Sequence, residues 1–167
     1  MFGKLVVIIM GFVGAALFCQ APEIATQYQQ RLGGAIDELR AVIERFDADV
    51  AKNGLDRASA LELYNKSPEK FLHDRGISMR VAIERFDVLR AQQVAFRTKS
   101  DLNKPVYVFR EADQVVLKGV LDDYSIGVPA TLGGAVYGSF GALLGLLFGG
   151  LLLKLSGLDT RRSRRQA

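Results

Sequence analysis

Residues 128–153 read VPATLGGAVYGSFGALLGLLFGGLLL, 26 residues without a charge. Asp122 and Asp123 precede the run and Lys154 closes it. A helix needs about 20 apolar residues to cross a hydrocarbon core of about 30 Å, so this length spans with room for tilt. The chain has 167 residues, about one domain by length. The fold therefore turns on what accompanies this segment.

A second apolar run stands at the other end. Leu5–Cys19 reads LVVIIMGFVGAALFC behind Lys4, and extends to Ala21 with Gln20 as its one strongly polar member. As a helix it covers roughly 25 Å, which snorkelling by Lys4 and slight bilayer thinning accommodate. A cleaved signal peptide fits less well. Ala16-Leu17-Phe18 puts a bulky ring at the cut, Cys19-Gln20-Ala21 leaves Pro22 after it, and a lipoprotein signal wants a small residue where Phe18 stands.

Charge orients the pair. Residues 22–127 carry 16 basic and 17 acidic side chains, whereas Lys4, Lys154, Arg161, Arg162, Arg164 and Arg165 face only Asp159 at the ends. The overall +4 is thus a property of the tails. It excludes a basic face for nucleic acid on the folded part. Positive residues stay on the cytoplasmic side, so both termini are expected there and 22–127 on the outer side, the periplasm of a bacterium. The expected organisation is an anchor over 1–21, a helical domain over 22–127, a glycine-rich span over 128–154 and a basic tail over 155–167. The fold class is an all-α membrane protein, two transmembrane helices flanking a helical extracytoplasmic domain.

Glycines carry the most specific pattern. Gly141, Gly145 and Gly149 recur every four residues along one helix face, a row that Gly133 and Tyr137 extend backwards. Gly134, Gly138 and Ala142 form a second row beside it. In lipid, close backbone approach replaces the missing hydrophobic drive between helices. Gly134, Gly138, Gly141, Gly145 and Gly149 are the expected helix-packing residues. Their partner is open: Gly11 and Gly14 of the first span, or another chain.

Between the spans the periodicity is helical. Leu32, Ile36, Leu39, Ile43, Phe46 and Val50 form one stripe, closed by Asn53-Gly54. A short helix is expected over Arg57–Tyr64, another from Pro68 to near Gly76 capped by Ser67, a long one over Ser78–Thr98, and a last one from Pro105 to Tyr124. Ile43-Glu44-Arg45-Phe46-Asp47 recurs letter for letter as residues 83–87. Two copies do not make a solenoid, but they predict two helices offering similar apolar faces to each other. The pairs Glu44/Asp47 and Glu84/Asp87 lack histidine and sit beside the stripe. They read as a solvated face, with Arg40 and Arg80 within reach of Glu44 and Glu84.

Chemistry is not legible. Cys19 is alone, so no internal disulfide forms, and His73 is the only histidine. No phosphate-binding or dinucleotide glycine motif occurs, and Ser139 misses the nucleophile-elbow spacing. No catalytic, cofactor-binding or metal-binding residue is expected.

A short first span ending at Pro22 is followed by Gln27-Tyr28-x-x-Arg31-Leu32, Tyr64 and Phe71-x-x-Asp74. Tyr124-Ser125-x-x-Val128-Pro129 then leads into the glycine-rich span. This layout resembles the proteobacterial family known as domain of unknown function 2937 over nearly the whole chain. The resemblance implies a bacterial inner-membrane protein and, because that family has no established activity, supplies no catalytic residues. The expected role is a non-enzymatic accessory, scaffold or assembly subunit. Its partners would be the lipid bilayer and either another membrane complex or copies of itself. A small homo-oligomeric pore and a periplasmic enzyme are the alternatives.

Overall fold

A computed structural model of the protein describes residues 2–124 and 131–155. Every regular element among them is helical: α1 (Phe2–Phe18), α2 (Ala21–Lys52), α3 (Arg57–Lys66), α4 (Lys70–Arg97), α5 (Lys104–Glu111), α6 (Gln114–Asp122) and α7 (Leu132–Leu155). Two stretches are long and apolar enough to cross a membrane, one within Gly3–Lys52 near the amino terminus and one over Leu132–Leu155. Residues 128–130 of the second apolar run, the Tyr124–Pro129 connection beyond Tyr124, and Arg161, Arg162, Arg164 and Arg165 of the tail lie outside the described residues.

By packing, the chain divides into two compact units. One comprises Met1–Gln27, Ser100–Glu111 and Val120–Ala167; the other comprises Tyr28–Lys99 and Ala112–Gly119. This division cuts across the segment 22–127, because Ser100–Glu111 groups with the apolar helices.

In the second unit, α2 and α4 run antiparallel. The Tyr28 hydroxyl donates to Gln92 Oε1 at 2.7 Å, and its ring meets Phe96 with centroids 6.1 Å apart. Further along, the Arg40 guanidinium lies 5.8 Å over the Phe86 ring. That register sets the second IERFD copy beside the turn around Arg40, so the two copies are offset along the helix pair rather than level. Leu32, Ile36, Ile43 and Val50 of the α2 stripe are buried, together with Met79, Leu89 and Phe96 of α4. Leu39 and Phe46 are only half-buried. Phe46 stacks on Tyr64 of α3 instead, at 6.3 Å between centroids.

Local chemistry sets the helix ends. Gly54 adopts a φ of +67° just past α2, and the Leu55 amide donates to the Val50 carbonyl, closing the helix as the Asn53-Gly54 pair predicts. Asp56 caps α3 by accepting from the Ser59 amide at 2.7 Å. Thr131 caps α7, its hydroxyl accepting from the Gly134 amide at 3.1 Å.

Four local expectations change. The helix expected to open at Pro68 begins at Lys70, with Ser67 Oγ accepting only from the Glu69 amide. It does not stop at Gly76 but runs as one element to Arg97. Gly76 is buried against Tyr64, where a Cβ would come within 2.5 Å of the Tyr64 Cβ, so the glycine serves packing rather than termination. His73 consequently lies in the first turn of α4. The single helix expected from Pro105 to Tyr124 is two, α5 and α6, because Asp113 turns its carboxylate back to cap α6. Arg40 and Arg80 do not reach for Glu44 and Glu84. Arg40 pairs with Asp37 at 2.7 Å, and Arg80 donates to the Leu61 carbonyl at 3.0 Å.

Candidate functional site: a glycine seam with a polar collar

Four glycines of α7 are buried: Gly134, Gly141, Gly145 and Gly149. Gly138, between them, is half-buried. Gly141, Gly145 and Gly149 have their neighbours in α1, and Gly138 meets Cys19 just past its end. A methyl group built on Gly141 would overlap the Gly14 carbonyl, and one built on Gly145 would overlap that of Met10. At Gly149 it would stand 3.0 Å from the Val7 Cα, and at Gly138 3.4 Å from the Cys19 Cβ. The contact is reciprocal, since a methyl group on Gly14 would overlap the Gly141 carbonyl and one on Gly11 would meet Leu146 at 2.9 Å. Gly141, Gly145 and Gly149 therefore face α1 of the same chain with backbone against backbone, and Gly138 faces its end at Cys19, whereas Gly133 lies against Pro22. Only Gly150 among the late glycines of α7 has open space beside it. Such an approach gains dispersion along the whole seam and tolerates no side chain.

Away from the seam both helices show large apolar groups. Phe12 and Leu17 of α1 and Leu143, Leu147, Phe148 and Leu151 of α7 are exposed. Phe18 and Phe140 flank the seam edge to face, 5.8 Å between centroids.

At one end of the seam the polar groups converge. The Tyr124 hydroxyl donates to Gln20 Oε1 at 2.6 Å, and the Tyr137 hydroxyl donates to the Leu102 carbonyl at 2.6 Å. Burial, then the nearby Glu23 carboxylate, pushes the Tyr124 phenol up, so it remains a proton donor. These two bonds form a collar where α1 ends and α7 begins. Lys4 and Lys154 belong to the opposite ends of their helices.

The second unit holds a polar clasp that sequence reasoning missed. Arg85 of α4 grips Asp113 with two guanidinium nitrogens, at 2.5 and 2.6 Å. Asp113 Oδ1 also accepts from the Val115 and Val116 amides, at 3.1 and 3.0 Å. The Asp113 amide donates to the buried Tyr28 hydroxyl at 2.9 Å. Arg85, ahead of burial acting the other way, holds the Asp113 carboxyl below the usual carboxylate range, and Asp113 in turn raises Arg85. The signal was available: an aspartate directly before Gln114-Val115-Val116 is a helix-start pattern. A groove of about 510 Å³ opens elsewhere in this unit, walled by Val50, Leu63 and Met79 with Arg45 and Arg75 among its polar lining. Among the described residues, no three His, Cys, Asp or Glu side chains gather closely enough to hold a metal ion.

Together these features define an all-helical protein with two helices long and apolar enough to cross a membrane. A family model described as a protein of unknown function (DUF2937) matches residues 2–162, and the chain belongs to that family. No curated protein and no solved structure matched the chain.

Proposed function

We propose that this protein is a non-enzymatic subunit of a bacterial inner membrane, acting as an accessory or scaffold for a membrane assembly. Both termini are cytoplasmic, and residues 22–127 lie in the periplasm. The observation that carries the reading is the glycine seam. Because α7 spends its small-residue face on α1 of the same chain, the two helices form a preassembled anchor. Their outward Phe and Leu side chains then meet lipid or the helices of a partner. The arginine-rich tail, with Lys4 and Lys154, supports the orientation through its cytoplasmic preference.

The test is gentle extraction of the tagged full chain from native membranes, with identification and weighing of what co-purifies. A stoichiometric foreign membrane protein is the expected result. Recovery of this chain alone contradicts the accessory role. Reporter fusions at each terminus and within 22–127 test the orientation separately.

A further inference from the structure

The apolar surface of α5 has a neighbour of known depth. Leu102, Val106 and Phe109 follow at spacings of four and three, which puts them on one side of the segment. They are 43%, 48% and 89% exposed, Leu102 in the turn just before α5 and the other two within it, whereas Pro105 and Val108 of α5 are buried. A phenylalanine that open to water is costly, because roughly 25 cal/mol is lost per Å² of apolar surface left wet. Leu102 is tied through its carbonyl to the hydroxyl of Tyr137, a residue of the apolar helix α7. From Tyr137 to the charge at Lys154 the helix covers about 25 Å, close to the thickness of a hydrocarbon core. Tyr137 therefore stands at the outer edge of the apolar layer, the level at which tyrosines gather. Tyr124 and Gln20, bonded at the same end of the helix pair, mark the same level. The bond from Tyr137 fixes the start of α5 there too.

We infer that α5 is an interfacial helix, with Leu102, Val106 and Phe109 seated in the boundary between lipid headgroups and acyl chains. The helix is short and carries Lys104 at its start and Arg110 in its last turn, which keep their charges at headgroup level while the rings and methyls enter the lipid. The inference rests on the reading that α1 and α7 cross a membrane. It adds a third contact between the protein and the bilayer, one that would fix how far the connecting segments stand from it.

The chain contains no tryptophan, so a single one reports without background. Phe109→Trp, and Val106→Trp as a second reporter on the same face, would be reconstituted as full chains into phosphatidylcholine vesicles. Some vesicles would carry bromine on the acyl chains near the headgroup, others near the bilayer centre. Phe148→Trp, exposed on α7, serves as the reference for a spanning helix. The expected result is blue-shifted emission at 109 and 106, with loss of most fluorescence to shallow bromine and little loss to deep bromine. Phe148→Trp is expected to be quenched by bromolipid in either case. Quenching at 148 with none at 106 or 109 overturns the interfacial role and leaves the spanning reading standing, whether water or another protein covers α5. No quenching at any of the three positions overturns the spanning reading and the interfacial role with it.

Discussion

The backbones of Gly14 in α1 and Gly141 in α7 touch with no side chain between them, and a methyl group on either would overlap the carbonyl of the other. Two helices this close have no soft element to yield. A side chain rotates out of a clash, but a carbonyl cannot move without its helix. The seam consequently converts a single added side chain into separation of the pair.

Gly141→Leu and Gly145→Leu should each force α1 and α7 apart, whereas Gly150→Leu, with open space at its Cα, should be tolerated. Overpacking a fitted site costs about 1–3 kcal/mol. Thermal aggregation of the detergent-extracted full chain should show lower midpoints for the first two variants and an unchanged one for the third. Equal effects at 145 and 150 would mean that leucine itself, not the seam, is responsible.

A parallel contrast applies in the helical unit. Gly34 of α2 has nothing within 4 Å of where a Cβ would stand, while at Gly76 of α4 the Tyr64 Cβ is 2.5 Å away. Both glycines are inside helices, where alanine is favoured by about 1 kcal/mol. Gly34→Ala should stabilise the protein by about 0.4–1 kcal/mol. Gly76→Ala should destabilise it, because Tyr64 must shift at its Cβ, with the whole of α3 behind it. Denaturant titration of the full chain distinguishes the two signs.

The clasp at Asp113 predicts a pH dependence. Its carboxyl is held below the ordinary value first by Arg85 and then by the Val116 amide, so the folded state favours the charged form. The resulting stability is fully present above the ordinary aspartate value of about 3.9 and is lost as pH falls through the depressed one. Asp113→Asn should lower stability near neutral pH by about 1.5–3 kcal/mol, the scale of a hydrogen bond to a charged group. The difference should shrink as pH drops below the carboxylate range, which stability curves measured side by side would show. A difference that stays constant down to about pH 2 would exclude the ionised clasp as its source.

Tyr28→Phe probes the other arm. It takes the acceptor from the Asp113 amide and the donor from Gln92 while keeping the ring against Phe96. Partners left unsatisfied in a buried setting cost about 1–3 kcal/mol. Amide hydrogen exchange at the start of α6 should rise by the corresponding factor; unchanged exchange at Asp113 would show that the bond contributes nothing there.

Periodicity made the apolar helices, the α2 stripe and the glycine rows readable, because each repeats within a few turns of one element. What the rows pack against was not readable. Spacing shows that Gly141 and Gly145 share a face, but not that Gly14 and Met10 fill it. Gly76 misled for a similar reason. Its low helix propensity suggests a stop, yet its cause is Tyr64, twelve residues earlier, which needs a surface without a side chain. Asp113 passed for an ordinary residue of a long last helix. Its role depends on Arg85 and Tyr28, 28 and 85 residues away, and only the cap it makes to its own amides is local.

The central claim is that α1 and α7 pair along their glycines within one chain, and one substitution tests it. A Cβ at residue 138 would lie 3.4 Å from the Cβ of Cys19, the only cysteine, near the short end of the roughly 3.5–4.5 Å that disulfides span. Gly138→Cys would be oxidised in native membranes and resolved on a non-reducing gel, with tagged and untagged copies co-expressed. The account predicts a monomer containing an internal disulfide, shifted in mobility and restored by reductant. Free thiols throughout, or disulfides that join tagged to untagged chains and leave no internally linked monomer, would contradict it.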